Sequence, residues 1–187
     1  MKRREFLSTS LKTGAAVVTG SSLVGGSVLA SEKESAPIEP DSMSKAALEH
    51  FLPGGKTCVE SLLLVGADAL GIECPVIPDI GLGLAGGVGL QGEICGAITG
   101  AAMVAGMAIG PKESEYKKKK MAVLSAAGKI FQEFEKKHGS TDCRKLCGLD
   151  LTTPEGRQKL EASVKKETCS QFVDTGARLM AEMLANV

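Results

Sequence analysis

The sequence predicts an all-α protein, a compact helical bundle interrupted by a glycine-rich loop. Three observations carry this. Apolar residues recur at three- and four-residue spacing in several segments. Strand signals are nearly absent. Glycine and proline fall where helices would stop, as at Pro53-Gly54-Gly55, Gly110-Pro111 and His138-Gly139.

The first thirty residues read as an address. Lys2, Arg3 and Arg4 form a basic head, and an apolar run rich in Gly, Ala and Ser extends from Gly14 to Leu29. Val28-Leu29-Ala30 offers small residues at the two positions a signal peptidase reads. Arg3-Arg4 followed by Glu5-Phe6-Leu7 resembles a twin-arginine (Tat) export signal. The apolar run is shorter than the ~20 residues a membrane span needs. Residues 1–30 are therefore expected to be a cleaved Tat signal, leaving a periplasmic or otherwise extracytoplasmic domain with no membrane association. They carry Lys2, Arg3, Arg4 and Lys12 against Glu5, so the formal charge of zero hides a mature part near −3.

Residues 31–43 are polar, hold two prolines and show no hydrophobic period, and are expected to form a flexible linker. The helical domain then occupies residues 44–187. A short helix over Ser44–Phe51 stops at Pro53-Gly54-Gly55. Thr57 caps a helix to about Leu70, with Leu62, Leu63, Val65, Ala69 and Leu70 apolar. Cys74-Pro75 and Pro78 mark irregular chain, and Gly81–Gly92 is a glycine-dense loop. A helix from about Glu93 to Ile109 carries small residues at four-residue spacing (Gly96, Gly100; Gly106, Gly110), which let a neighbouring helix approach closely. The best amphipathic pattern runs from Glu113 to Lys137. There Met121, Leu124, Gly128, Phe131 and Phe134 are expected to face the core, with Lys117–Lys120 in solvent. Ser140 or Thr141 caps a short helix through Cys143 and Cys147, ended by Gly148. Thr153-Pro154-Glu155 starts another helix. The last covers about Cys169 to Leu184, with Phe172, Val173, Gly176, Leu179, Met180 and Met183 on one side.

Several functions are excluded at this level. A balanced charge and few aromatic residues give no nucleic-acid footprint. Gly81-Leu-Gly83-Leu-Ala-Gly86 spells a dinucleotide fingerprint, but Pro75 and Pro78 spoil the preceding strand and no acid occurs between Ile94 and Lys112. NAD is not expected. Metalloprotease, esterase and P-loop motifs are absent.

The six cysteines hold the remaining chemistry. None lies in a C-x-x-C pair, so a thioredoxin motif and covalent haem attachment are both missing. His50 and His138 have no partner pattern and read as surface or helix-end residues. Cys58, Cys95, Cys143 and Cys169 each fall near an expected helix start, where the macrodipole favours the thiolate that binds metal or attacks a disulfide. Cys143 and Cys147 share a helix face, with Cys147 in the last turn where the dipole is adverse.

The array Thr57-Cys58-Val59-Glu60-Ser61, Gly86-Gly87-x-Gly89-x-x-Gly92-x-x-Cys95-Gly96-Ala97-x-x-Gly100-Ala101, Cys143-x-x-x-Cys147-Gly148-x-Asp150 and Cys169 resembles the C_GCAxxG_C_C family of redox-active proteins. A related segment occurs in split-Soret cytochromes c. The resemblance covers about residues 45–185 and implies that Cys58, Cys95, Cys143 and Cys169 are the four family cysteines. Cys74 and Cys147 stand outside that array as candidate additional ligands. The haem-binding tail of the cytochromes is missing, so haem is not expected. The first reading is an exported electron-transfer protein holding an Fe–S cluster on the four cysteines and serving a protein redox partner. The others are a metal-free thiol–disulfide protein or sensor, and a small helical domain with structural disulfides or a Cys₄ zinc. The cytochrome relatives suggest a homodimer.

Overall fold

Helix ends are set by short-range chemistry. Thr57 accepts the backbone N–H of Glu60 while the Glu60 carboxylate accepts that of Thr57, a reciprocal capping box that starts the second helix where the sequence predicts it. The computed structural model describes residues 38–187 in this way. The Tat signal with Arg3, Arg4, Phe6 and Leu7, and residues 31–37 of the linker, lie outside the described residues. The helices are α1 (Pro40–Phe51), α2 (Cys58–Ala69), α3 (Gly96–Ile109), α4 (Tyr116–His138), α5 (Cys143–Cys147), α6 (Pro154–Lys159) and α7 (Ser170–Leu184). Among the described residues there is no strand, only an isolated bridge between Ile94 and Asp142. The all-α bundle is borne out. No helix among the described residues is long and apolar enough to cross a membrane.

The core lies where α2 and α3 pack against each other and against α1 and α7. Val59, Leu62, Leu63, Val104, Val173 and Met180 are buried there. Glycine sets the spacing of the helices. A Cβ on Gly66 of α2 would overlap the Val104 side chain, and one on Gly100 of α3 would press on Leu62 and the Val59 backbone. Small residues thus let α2 and α3 approach more closely than branched side chains would allow. Polar ties fix α1 to α7. The Ser44 hydroxyl donates to Asp174 at 2.5 Å, and Arg178 reaches both Asp174 and Asp41.

Four local expectations change. Helix α1 begins at Pro40, inside the expected linker, because proline suits the first helical position and burial of Met43 holds the first turn. Helix α3 begins at Gly96, with Cys95 as its N-cap residue. Asp142, not Ser140 or Thr141, caps α5 by accepting from the Lys145 N–H. The last helix has no free start at Cys169. α6, a π-helical stretch over Leu160–Cys169 and α7 follow one another through residues that all keep right-handed helical angles.

The largest correction concerns α4. Of its expected core face only Phe134 is fully buried, whereas Met121 is 63% and Leu124 54% exposed. Two apolar stripes run side by side on this helix, and a three–four spacing fits both. The packed one is Val123, Ala127, Ile130 and Phe134, against α3 and α7. On α7, by contrast, Phe172, Val173, Gly176 and Met180 are buried as expected, with Leu179 and Met183 half-buried.

The close approach of α2 and α3 is testable. Gly66→Ala must displace Val104, which is fully buried. The expected loss is about 1–3 kcal/mol, as for overpacked cores, despite the better helix propensity of alanine. Chemical denaturation of the variant beside the parent measures it.

Candidate functional site

Five of the six cysteines line one cavity of about 170 Å³: Cys58, Cys95, Cys143, Cys147 and Cys169. They come from the start of α2, the cap of α3, both ends of α5 and the end of the π-helical stretch. Phe51, Leu151, Leu160 and Phe172 supply apolar wall, and Gly86 and Leu90 of the glycine loop supply the rest of one side. All four family cysteines are brought together. Cys147 joins them, and Cys74 does not. Cys74 lies in the irregular segment after α2 and does not line the cavity.

The glycine loop is what seats Cys95 and Cys143 side by side. Gly86, Gly87, Val88, Gly89, Leu90 and Gly92 all have positive φ, so the chain coils tightly on itself. The Gly87 carbonyl accepts from Glu93 N–H, and a Cβ at Gly87 would strike the Glu93 backbone. The loop then hands its own carbonyls to the start of α5. Glu93 C=O accepts from Cys143 N–H at 2.6 Å, and Gly92 C=O accepts from Arg144 N–H at 2.9 Å. Cys95 N–H donates to Thr141 C=O at 2.8 Å. Arg144 also donates to Gln91 C=O and pairs with Asp150. The leading amides of α5 are therefore spent on the loop. On the other side of the cavity Gly96 does a related job: any Cβ there would fall on Cys58 Sγ and on Val59.

Electrostatics overturn the expectation of easily ionised thiols. Burial pushes Cys58 up, although the N–H groups of Val59, Gly86 and Gly96 pull it partly back. Burial pushes Cys95 far above the ordinary thiol value, and negative charge on Cys58, Cys143 or Cys169 would push it further. Burial likewise raises Cys143, with Cys147 as the next cause. Cys169 rises to about 12, again through burial first and neighbouring cysteines next, with Lys165 opposing. Helix termini contribute ~0.3–1 kcal/mol at exposed sites, whereas full burial shifts a pKa by up to ~3–5 units, each about 1.4 kcal/mol. Burial wins.

Lys165 lines the cavity from the π-helical stretch and belongs to no motif of the sequence. Its side chain is mostly buried, pairs with Glu161 at 3.7 Å and sits 5.2 Å from the Phe51 ring centre. Nothing in its local sequence separates it from the other lysines. Cys147 had a signal, the four-residue spacing from Cys143. Its Sγ lies 3.9 Å from Arg144 C=O and 3.8 Å from Leu149 C=O, within reach as a thiol donor to both. His138 is not a ligand candidate. It stacks among Phe134 and Phe172 and bonds Thr175 at 2.9 Å, and burial lowers its pKa.

No three His, Cys, Asp or Glu side chains among the described residues converge tightly enough to grip a single metal ion. A tetrahedral zinc holds each sulfur at ~2.3 Å and so draws its ligands into mutual contact. In a four-iron cluster each cysteine binds its own iron, and in a two-iron cluster two cysteines share each iron. Thiols lining an apolar cavity are the donor type that both centres use.

The fold and the site define an all-α protein with a cysteine array around one cavity. The sequence profile of C_GCAxxG_C_C, described as "Putative redox-active protein (C_GCAxxG_C_C)", matches residues 56–183, and the chain belongs to that family. No curated protein and no solved structure matches it.

The raised thiols fix a pH dependence for the metal-free chain. A thiol whose folded value exceeds its unfolded one stabilises the fold below the unfolded value and loses that contribution as pH rises through the folded one. With Cys169 at about 12 against an ordinary 9.0, stability should fall steadily across that interval. Urea midpoints measured on the chelator-treated, reduced protein between those pH values check this. A flat profile would contradict the burial of these thiols.

Proposed function

We propose that this protein is an exported electron carrier whose cavity holds an Fe–S cluster on Cys58, Cys95, Cys143 and Cys169. The observation that carries the reading is the convergence of those four thiols, from four separate chain segments, on one apolar cavity. When bound, the cluster would supply one-electron redox chemistry. The chain's own residues do the rest. Phe51, Leu151 and Phe172 exclude water, and the N–H groups of Val59, Gly86 and Gly96 point at the Cys58 sulfur, which favours its charged form. Lys165 is a nearby cation against a negatively charged sulfur array. Cys147 stands beside the ligands with its Sγ within reach of the Arg144 and Leu149 carbonyls.

Thiol–disulfide exchange is less well supported, because it needs an accessible, low-pKa thiolate. Cys95 and Cys147 are buried, and the family thiols are all pushed up rather than down. Export rests on Arg3-Arg4-x-Phe6-Leu7, and the Tat route suits a domain that folds around its cofactor before crossing the membrane.

Anaerobic purification with iron, zinc and acid-labile sulfide measured per chain tests the proposal. Iron and sulfide in comparable amounts, with a visible charge-transfer absorption, are expected. Serine at Cys58, Cys95, Cys143 or Cys169 should abolish that absorption, while Cys74→Ser should leave it intact. A colourless protein free of iron would sink the reading.

A further inference from the structure

The apolar stripe of α4 that the fold leaves in solvent points to a partner. Lys117, Met121, Leu124, Gly128, Phe131 and Glu135 follow one another at intervals of four and three residues, the seam of a coiled coil. Met121 and Leu124 are more than half exposed, Phe131 is half-buried, and a Cβ at Gly128 would meet nothing. The stripe has an internal symmetry. Turned end for end about Ala126, it sets Leu124 against Gly128, Met121 against Phe131, and Lys117 against Glu135. Each pairing is complementary: a large side chain meets an empty position, two apolar groups meet, and opposite charges meet. Among the described residues neither Lys117 nor Glu135 has an ion pair, although Lys118 and Lys136 on other faces of the helix do.

We propose that α4 is a self-association surface, on which two copies of this chain pair antiparallel through this stripe. A two-fold axis level with Ala126, on the Leu124–Gly128 side of the helix, makes the contact isologous and closed, so it yields a dimer and not a filament. One helix pair makes a small interface, below the ~1,200 Å² of tight complexes, so the dimer is reversible. An unrelated redox partner would have no reason to match a symmetric stripe of this kind.

Sedimentation velocity of the full chain across a concentration series tests this. Reversible dimerisation is expected for the parent, and L124E should abolish it; at a dilution where the parent is monomeric the two thermal midpoints should agree, since Leu124 is 54% exposed. K117E and E135K should each weaken association about five- to tenfold, because each reversal sets two like-charge pairs across the seam. The double variant K117E/E135K should restore it. A chain that stays monomeric throughout overturns the proposal. So does a dimer that L124E leaves unchanged, which would put the contact elsewhere, or a double variant no better than the singles.

Discussion

The absence of side chains at a few positions on α2, α3 and α7 is the constraint on which the rest of the molecule depends. Gly66 and Gly100 admit Val104 and Leu62 into the seam between α2 and α3. Gly176 lets α7 come down on the Ala97 carbonyl. The same closeness continues one turn further, where Gly96 yields its place to the Cys58 sulfur. The cavity wall is thus an extension of the core packing and not a pocket added to a finished bundle. That is why Cys95 can be nearly inaccessible while it heads a helix next to a loop.

Much of this was legible in the residues. The Thr57 cap, the stop at Gly139 with its left-handed angle and the proline at the start of α6 are local signals, and each stands where expected. The four cysteines of the array are legible because Cys95-Gly96-Ala97-x-x-Gly100 stands behind a glycine loop with a cysteine at large distance on each side. Other features were not legible because they depend on packing. Periodicity could not tell which of two neighbouring stripes on α4 meets the bundle, so Met121 and Leu124 were placed inside. No propensity marks a π-helical stretch, so Cys169 read as a helix start and Lys165 did not stand out. The extent of burial around the thiols was also invisible, and with it the sign of their pKa shifts.

Two opposing effects meet at the sulfur atoms. Backbone N–H groups favour negative charge on Cys58, and the same is true of any helix start. Against them stand an apolar wall and the mutual repulsion of four neighbouring thiolates. With Lys165 the cation at hand and already paired with Glu161, the cavity is short of positive charge. A site of that kind keeps its protons until something positively charged replaces them, and it is then a tight container for whatever arrives. This balance links the packing of α2 and α3 directly to the chemistry the cavity can support.

The wide separation of the cysteines along the chain has a consequence for biosynthesis. Cys58 leaves the ribosome early, but the cavity wall is closed only by Leu160, Cys169 and Phe172, close to the C-terminal end. Because chains emerge N-terminus first at ~5–20 residues per second, the first thiols wait several seconds without their partners. The cavity cannot close until residues 160–172 have been made, so an occupant held on all four thiols can be seated only after Cys169 and Phe172 have emerged.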